Sequence, residues 1–182
     1  MRPPKPTIET IEAVPYFDLE LYMILSQNKR VDSQTAFLVE ELWNRYKPHL
    51  NIRRITIQST GYLAVWLDKF VEDEVNALWD SSPSQAFTSN SLAQAMCMAV
   101  VREHTPEVAM NSCAPVPKPN PPLRKALSDL GLAWEGQDTL GRQYAMLTYM
   151  PYRGGCEICY LQKSCPKATV GKMLLEEDKA SK

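Results

Sequence analysis

The sequence predicts a mainly α-helical protein with a small β-hairpin: a helical domain followed by a C-terminal, cysteine-ligated metal sub-domain. Three observations point there. Apolar residues recur at helical spacing in several windows of the first 112 residues. Strand candidates are few and short, with Leu132-Ala133-Trp134 and Tyr144 to Tyr149 making a possible hairpin. Three of the five cysteines fall within the ten residues from Cys156 to Cys165.

The elements follow in order. Residues 1–15 hold four prolines and read as an extended arm. Residues 16–27 form a short helix with Phe17, Leu21 and Ile24 or Leu25 inward. Asp32 or Ser33 caps a second helix that runs to Tyr46 with Phe37, Leu38, Leu42 and Trp43 inward, and Pro48 ends it. Residues 52–58 lean towards a strand but make too short a run to assign. Residues 61–79 carry the strongest helical pattern. Leu63, Trp66, Phe70, Val71, Leu78 and Trp79 form its stripe, with Asp68, Glu72, Asp73 and Glu74 towards water. Ser81 to Ser84 reads as a linker. A helix then spans Ser91 to Glu103, and a shorter one starts at Thr105 and ends near Cys113. Residues 114–122 are a proline-stiffened crossing. Leu123 to Leu130 is a short helix stopped by Gly131, and 132–134 with 144–149 are the two strands of the hairpin. The chain divides into a helical domain with an N-terminal arm (1–112), a metal-binding sub-domain (113–170) and a charged tail (171–182).

Bulk composition narrows the function. The chain has 182 residues, 45% of them hydrophobic, enough for a packed core. Its 20 Lys and Arg against 21 Asp and Glu leave a net charge of −1, which excludes a protein that holds nucleic acid by overall charge alone. No apolar run approaches the ~18 residues that span a bilayer. The prolines and acids between Met1 and Glu12 do not make a signal peptide. A cytoplasmic location is expected, where thiols stay reduced and available to a metal.

The cysteines carry the strongest chemical signal. Cys156, Cys159 and Cys165 are spaced C-x2-C-x5-C, preceded by Gly154-Gly155 and followed by Pro166. A turn brings two thiolates separated by two residues to one centre, and the glycines let the backbone turn tightly beside the sulfurs. Three thiolates are one short of a closed site. Cys113, beside the proline-rich crossing, is the preferred fourth ligand. Cys97 lies in an apolar helix and reads as a buried structural thiol. Zinc sites favour two short cysteine pairs or cysteine–histidine pairs. Neither His49 nor His104 has ligand spacing, so a 4Fe–4S cluster is the leading cofactor and zinc the alternative.

The run from Cys156 to Cys165 resembles the end of the cluster loop in helix-hairpin-helix DNA glycosylases, whose pattern is C-x6-C-x2-C-x5-C. It also resembles the C-terminal cysteine triplet of iron–sulfur nucleases related to RecB, where the fourth cysteine is remote. Tyr149 stands where the glycosylases carry their first cysteine. The resemblance spans about ten residues and implies a cofactor; it carries over no catalytic residue, since neither family's catalytic motif is present.

Charge is uneven along the chain. Residues 113–172 hold eight Lys or Arg against four Asp or Glu, whereas residues 1–112 hold ten against fourteen. Lys118, Arg124, Lys125, Arg142, Arg153, Lys163 and Lys167 make a candidate nucleic-acid face; the same cations would also offset cluster thiolates. The short helix before two strands has the element order of a winged helix, an analogy only. Glu72-Asp73-Glu74 reads as a solvated helix face, and the four tryptophans and eight methionines read as core. No phosphate-cradling loop, nucleophile elbow or dinucleotide fingerprint is present, which points away from an enzyme. The leading expectation is an iron–sulfur protein with a structural or redox-sensing role in a nucleic-acid-linked or regulatory process. One alternative is an electron-transfer or accessory subunit docking a redox protein partner through its methionine-rich region; another is a zinc-stapled interaction module.

Overall fold

The computed structural model describes residues 4–12, 15–108, 113–136 and 139–165. Its centre is an antiparallel sheet of four strands: β1 (Thr7–Thr10), β2 (Leu50–Ile57), β3 (Thr60–Leu67) and, much later in the chain, β6 (Ala145–Tyr149), in the order β1-β2-β3-β6. Five α-helices are present among the described residues: α1 (Leu19–Ser26), α2 (Ser33–Tyr46), α3 (Lys69–Ser81), α4 (Pro83–His104) and α5 (Pro121–Asp129). Two very short strands, β4 (Trp134–Glu135) and β5 (Thr139–Leu140), pair with each other apart from the main sheet.

Local chemistry explains most helix starts. Asp18 accepts a hydrogen bond from the Leu21 amide, Asp32 from Thr35, Asp68 from Phe70 and Asn120 from Leu123. Each satisfies a donor that the first helical turn leaves open. Pro83 and Pro121-Pro122 sit in first turns, where a missing N–H costs nothing. Gly131 adopts a left-handed conformation, φ +74°, just past α5, as the sequence predicts.

The sheet divides the apolar residues into two cores. Ile52, Leu63, Val65 and Leu67 point to one face and pack with α1, α2, α3 and α4. Ile55, Ile57, Tyr62, Ala64, Trp66 and Leu147 point to the other and pack with Leu123, Ala126 and Leu127 of α5 and with Leu132. β3 is thus buried on both faces, with Tyr62 to Leu67 all inaccessible.

This α+β architecture corrects the mainly helical expectation. The 61–79 stripe is not one helix but β3 followed by α3, with Asp68 capping the change. A strand covered on both faces shows an unbroken apolar run instead of alternation, and such a run mimics a buried helix segment. The stripe residues Phe70 and Trp79 lie 47% and 42% exposed. The β2–β3 turn is the two-residue loop Gln58-Ser59, with Gln58 at φ +55°. It lacks the Asn-Gly or Asp-Gly pair that announces such turns. The arm at 1–15 contains β1, paired to β2.

The expected hairpin between 132–134 and 144–149 does not form. β6 pairs with β3 instead, Met146 opposite Val65 and Thr148 opposite Leu63. The stretch read as a C-terminal, cysteine-ligated metal sub-domain therefore contributes a strand to the central sheet and a helix to its second face. α4 begins at Pro83, inside the presumed linker. Residues 105–108 form a turn rather than a helix start, and 109–112 lie outside the described residues. Phe37, expected inward, is 70% exposed. No helix among the described residues is long and apolar enough to cross a membrane.

Double-sided burial sets an expected hierarchy of stability. Leu63→Ala removes a fully buried side chain from the helical core and should cost ~2–5 kcal/mol. Phe37→Ser, on the exposed side of α2, should change stability by about 0.5 kcal/mol or less. Urea denaturation of both variants checks this; equal losses would contradict the packing.

Candidate functional site

The cysteine loop starts where β6 leaves the sheet. Met150 donates its amide to the Gly61 carbonyl at 3.1 Å, and Arg153 donates to the Thr60 hydroxyl at 3.1 Å. The approach is so close that a Cβ on Gly61 would collide with the Met150 carbonyl oxygen. The chain then turns through Gly154, at φ +141°, where only glycine is comfortable. The Glu157 carboxylate accepts from the Gly155 amide at 2.8 Å. Backbone N–H groups of Glu157 itself and of Gly155 hold its carboxyl below the usual range.

Cys156–Ile158 is a single 3-10 turn, closed by the Cys159 amide on the Cys156 carbonyl at 3.2 Å. Further turns follow, Gln162 to Cys159 and Ser164 to Leu161, and carry the chain to Cys165. The loop docks on the proline-rich crossing. The Tyr160 amide donates to the Val116 carbonyl at 2.8 Å, and the Val116 amide donates to Cys159 Sγ at 3.4 Å. The crossing is also held from the sheet side, where the Thr148 hydroxyl donates to the Pro115 carbonyl at 3.0 Å. Cys113 stands three residues before Val116 on this clamped segment.

The structure thus brings the strand of chain carrying Cys113 alongside the loop carrying Cys156, Cys159 and Cys165. None of these cysteines is in a disulfide; Cys156 is exposed and the other three are half-buried. Among the described residues no group of three or more His, Cys, Asp or Glu side chains is drawn together to hold a metal ion. The donor set is all thiol, which suits iron–sulfur or zinc chemistry. A single zinc needs its sulfurs about 3.8 Å apart, the tetrahedral edge for bonds of about 2.3 Å. A cuboidal cluster spreads its thiolates over separate irons at its corners, so its ligands stand further apart.

Cys97 lies elsewhere. It is fully buried in α4, its thiol on the Tyr144 carbonyl at 3.6 Å, and burial pushes its pKa up to about 12. His49 stacks on Phe70 and bonds Asp68, away from the cysteines.

The candidate cations separate into two groups. Arg142 turns towards the helical side and bonds Glu72 at 3.3 Å, beside a second bond to Glu72 from the Gln143 amide. Lys118, Arg124, Lys125, Arg153 and Lys163 are exposed around α5, the crossing and the cysteine loop. Lys125 is paired with Asp129 one helical turn on, and Lys167 lies outside the described residues. Sequence reasoning missed three participants: the Val116 amide, the Glu157 carboxylate and the ring pair Trp134–Tyr160, whose centroids are 6.5 Å apart. Arg124 lies 5.7 Å over the Trp134 ring. Aromatics interleaved with basic residues were the available signal for the ring pair. The amide–sulfur bond had none.

Cys97 makes a pH prediction. A thiol raised from its ordinary 9.0 to about 12 on folding contributes stability that is complete below the unfolded value and is lost as pH rises towards the folded one. Urea midpoints should fall between about pH 9 and about pH 12. Tyr46, pushed up to about 12 by burial, and Tyr144, also raised by burial, act in the same direction. Cys97→Ala should therefore make the fall shallower without abolishing it; an unchanged slope would contradict the burial argument.

No protein-family model matches this chain, and no curated protein or solved structure matches it either.

Proposed function

We propose that Cys113, Cys156, Cys159 and Cys165 hold a 4Fe–4S cluster, and that the protein is an iron–sulfur protein with a structural or redox-sensing role in a nucleic-acid-linked or regulatory process. The observation that carries the reading is the Val116 clamp. One residue of the crossing donates its amide to Cys159 Sγ and accepts from the next amide in the cysteine loop. Amide donors of this kind stabilise thiolates and tune clusters through the hydrogen bonds that their sulfurs receive. The clamp favours Cys113 over the remote, fully buried Cys97 as fourth ligand.

A cluster bound by four thiolates supplies electron storage and a covalent staple, with no open iron for a substrate. The chain's own residues do the rest. Gly154 and Gly155 allow the tight turn, Glu157 ties it, and Thr148 fixes the crossing to β6. The docking of a redox enzyme through a methionine-rich surface gains no support: Met96 is buried, and Met98, Met146 and Met150 pack against the helical core. Zinc remains the competing occupant, because the same four thiols would take it after loop closure.

The test is an absorption spectrum with iron, sulfide and zinc analysis on anaerobically purified protein. Broad absorption near about 400 nm with about four irons per chain is expected. Cys113→Ala, Cys156→Ala, Cys159→Ala and Cys165→Ala should each lower iron and sulfide severalfold, whereas Cys97→Ala should retain both. Colourless protein with about one zinc per chain would replace the cluster by a zinc staple.

A further inference from the structure

Basic and aromatic side chains run from the second face of the sheet to its β6 edge. At one end Tyr62 and Tyr149, paired across β3 and β6, hold their rings 5.6 Å apart. Arg153 is anchored beside them on Thr60, and its positive charge acts on the Tyr62 phenol, which also bonds Asn120. Asn120 caps α5, whose outer side presents Arg124 and Lys125. Arg124 reaches over Trp134, Trp134 meets the Tyr160 ring at 74°, and Tyr160 bonds Val116, two residues before Lys118. Lys163 follows one turn later. Arg53 extends the basic character on β2, where it lies 5.7 Å over the Trp66 ring.

Two features set this band apart from an ordinary solvated face. First, two of the acids nearest these cations are engaged locally. Asp129 pairs with Lys125, and Glu157 is tied to its own loop, so neither acid neutralises Arg124, Lys118 or Arg153. Secondly, aromatic surface stays accessible beside those cations. Tyr160 is 37% exposed and Trp134 is half-buried.

We propose that this face binds single-stranded nucleic acid, with bases stacking on Tyr160 and Trp134 and the backbone running past Arg124, Lys118, Arg153 and Lys163. The inference deepens the nucleic-acid-linked part of the proposed function and does not require the cluster. Every base has a π-face, so a ring flanked by cations takes single strands with little regard to sequence. Duplex DNA keeps its bases stacked inside and offers mainly phosphates to such a surface. An acidic peptide would use the cations and leave the rings unemployed.

The experiment is a fluorescence-anisotropy titration of the full-length protein with a labelled oligothymidylate of about 15 nucleotides, in a salt series, with iron and zinc measured on the same samples. Expected are binding that weakens linearly in log affinity against log salt, and a duplex of equal length that binds at least tenfold more weakly. Tyr160→Ala should weaken binding roughly ten- to hundredfold, Tyr160→Phe should restore it, and Arg124→Glu should weaken it and flatten the salt slope. Equal or tighter binding of the duplex, no binding at low salt, or Tyr160→Ala binding like the parent protein would each overturn the proposal. Protein that holds iron but ignores the oligonucleotide refutes this surface and leaves the cluster standing. Binding by metal-free protein supports the surface and counts against only the cluster.

Discussion

The structure depends on β3 being buried on both faces. Leu63, Val65 and Leu67 supply one core, and Tyr62, Ala64 and Trp66 the other. Six consecutive side chains leave water, a large favourable contribution to folding from one short strand. The arrangement works only if both neighbours of β3 are present. β2 arrives through a two-residue turn, but β6 arrives after 77 intervening residues, so the sheet is complete only when the chain has returned. The helical layer and the α5 layer are therefore coupled through one strand, and a change that moves β3 disturbs both.

Ionic links reinforce that layering between the helices and, at Glu72, between α3 and the segment entering β6. Glu72 of α3 receives both Arg142 and the Gln143 amide just before β6, and is only 14% exposed. Glu74 joins Arg45 and the Tyr46 hydroxyl of α2, and Asp18 at the start of α1 holds Arg102 near the end of α4. These are partly buried pairs with additional hydrogen bonds, the geometry in which removing one partner is costly because the other charge is left uncompensated. The acidic run at 72–74 is thus divided in use: Glu72 and Glu74 anchor other elements, while Asp73 pairs with Lys69 in solvent.

The proposed function rests on how the sheet's far edge is finished. β6 is an edge strand, and edge strands need cover. The proline-rich crossing lies against it through the Thr148–Pro115 bond, and the cysteine loop then lies on the crossing through Val116. Proline suits the crossing because it stiffens an extended path without asking for ladder partners. The consequence is that the crossing, at Val116, and the loop carrying Cys156, Cys159 and Cys165 meet at this edge of the sheet, near Trp134 and Arg124. A metal centre there would staple the crossing to the loop, and through them set the position of Tyr160.

By itself the sequence determined the α2 cap, the α5 stop and the spacing of the thiols. Asp32 and Gly131 act through neighbours within a few residues, so they were legible, and so was the thiol spacing from Cys156 to Cys165; the cap Asn120 and the helix-starting Pro83 and Pro121 read as crossing and linker instead. Helix α2 and the burial of Cys97 were legible for the same local reason. The tertiary structure alone decided that 61–67 is a strand, because burial on two faces erases the alternation that identifies one. It also decided that β6 pairs with β3 rather than with 132–134, since pairing energy depends on which apolar face is left to cover and not on proximity along the chain. The docking of the crossing on the loop at Val116, the amide on Cys159 and the meeting of Arg124, Trp134 and Tyr160 are products of that same long-range pairing. No local pattern encodes them, because each joins residues whose separation in sequence exceeds the reach of any helix or turn.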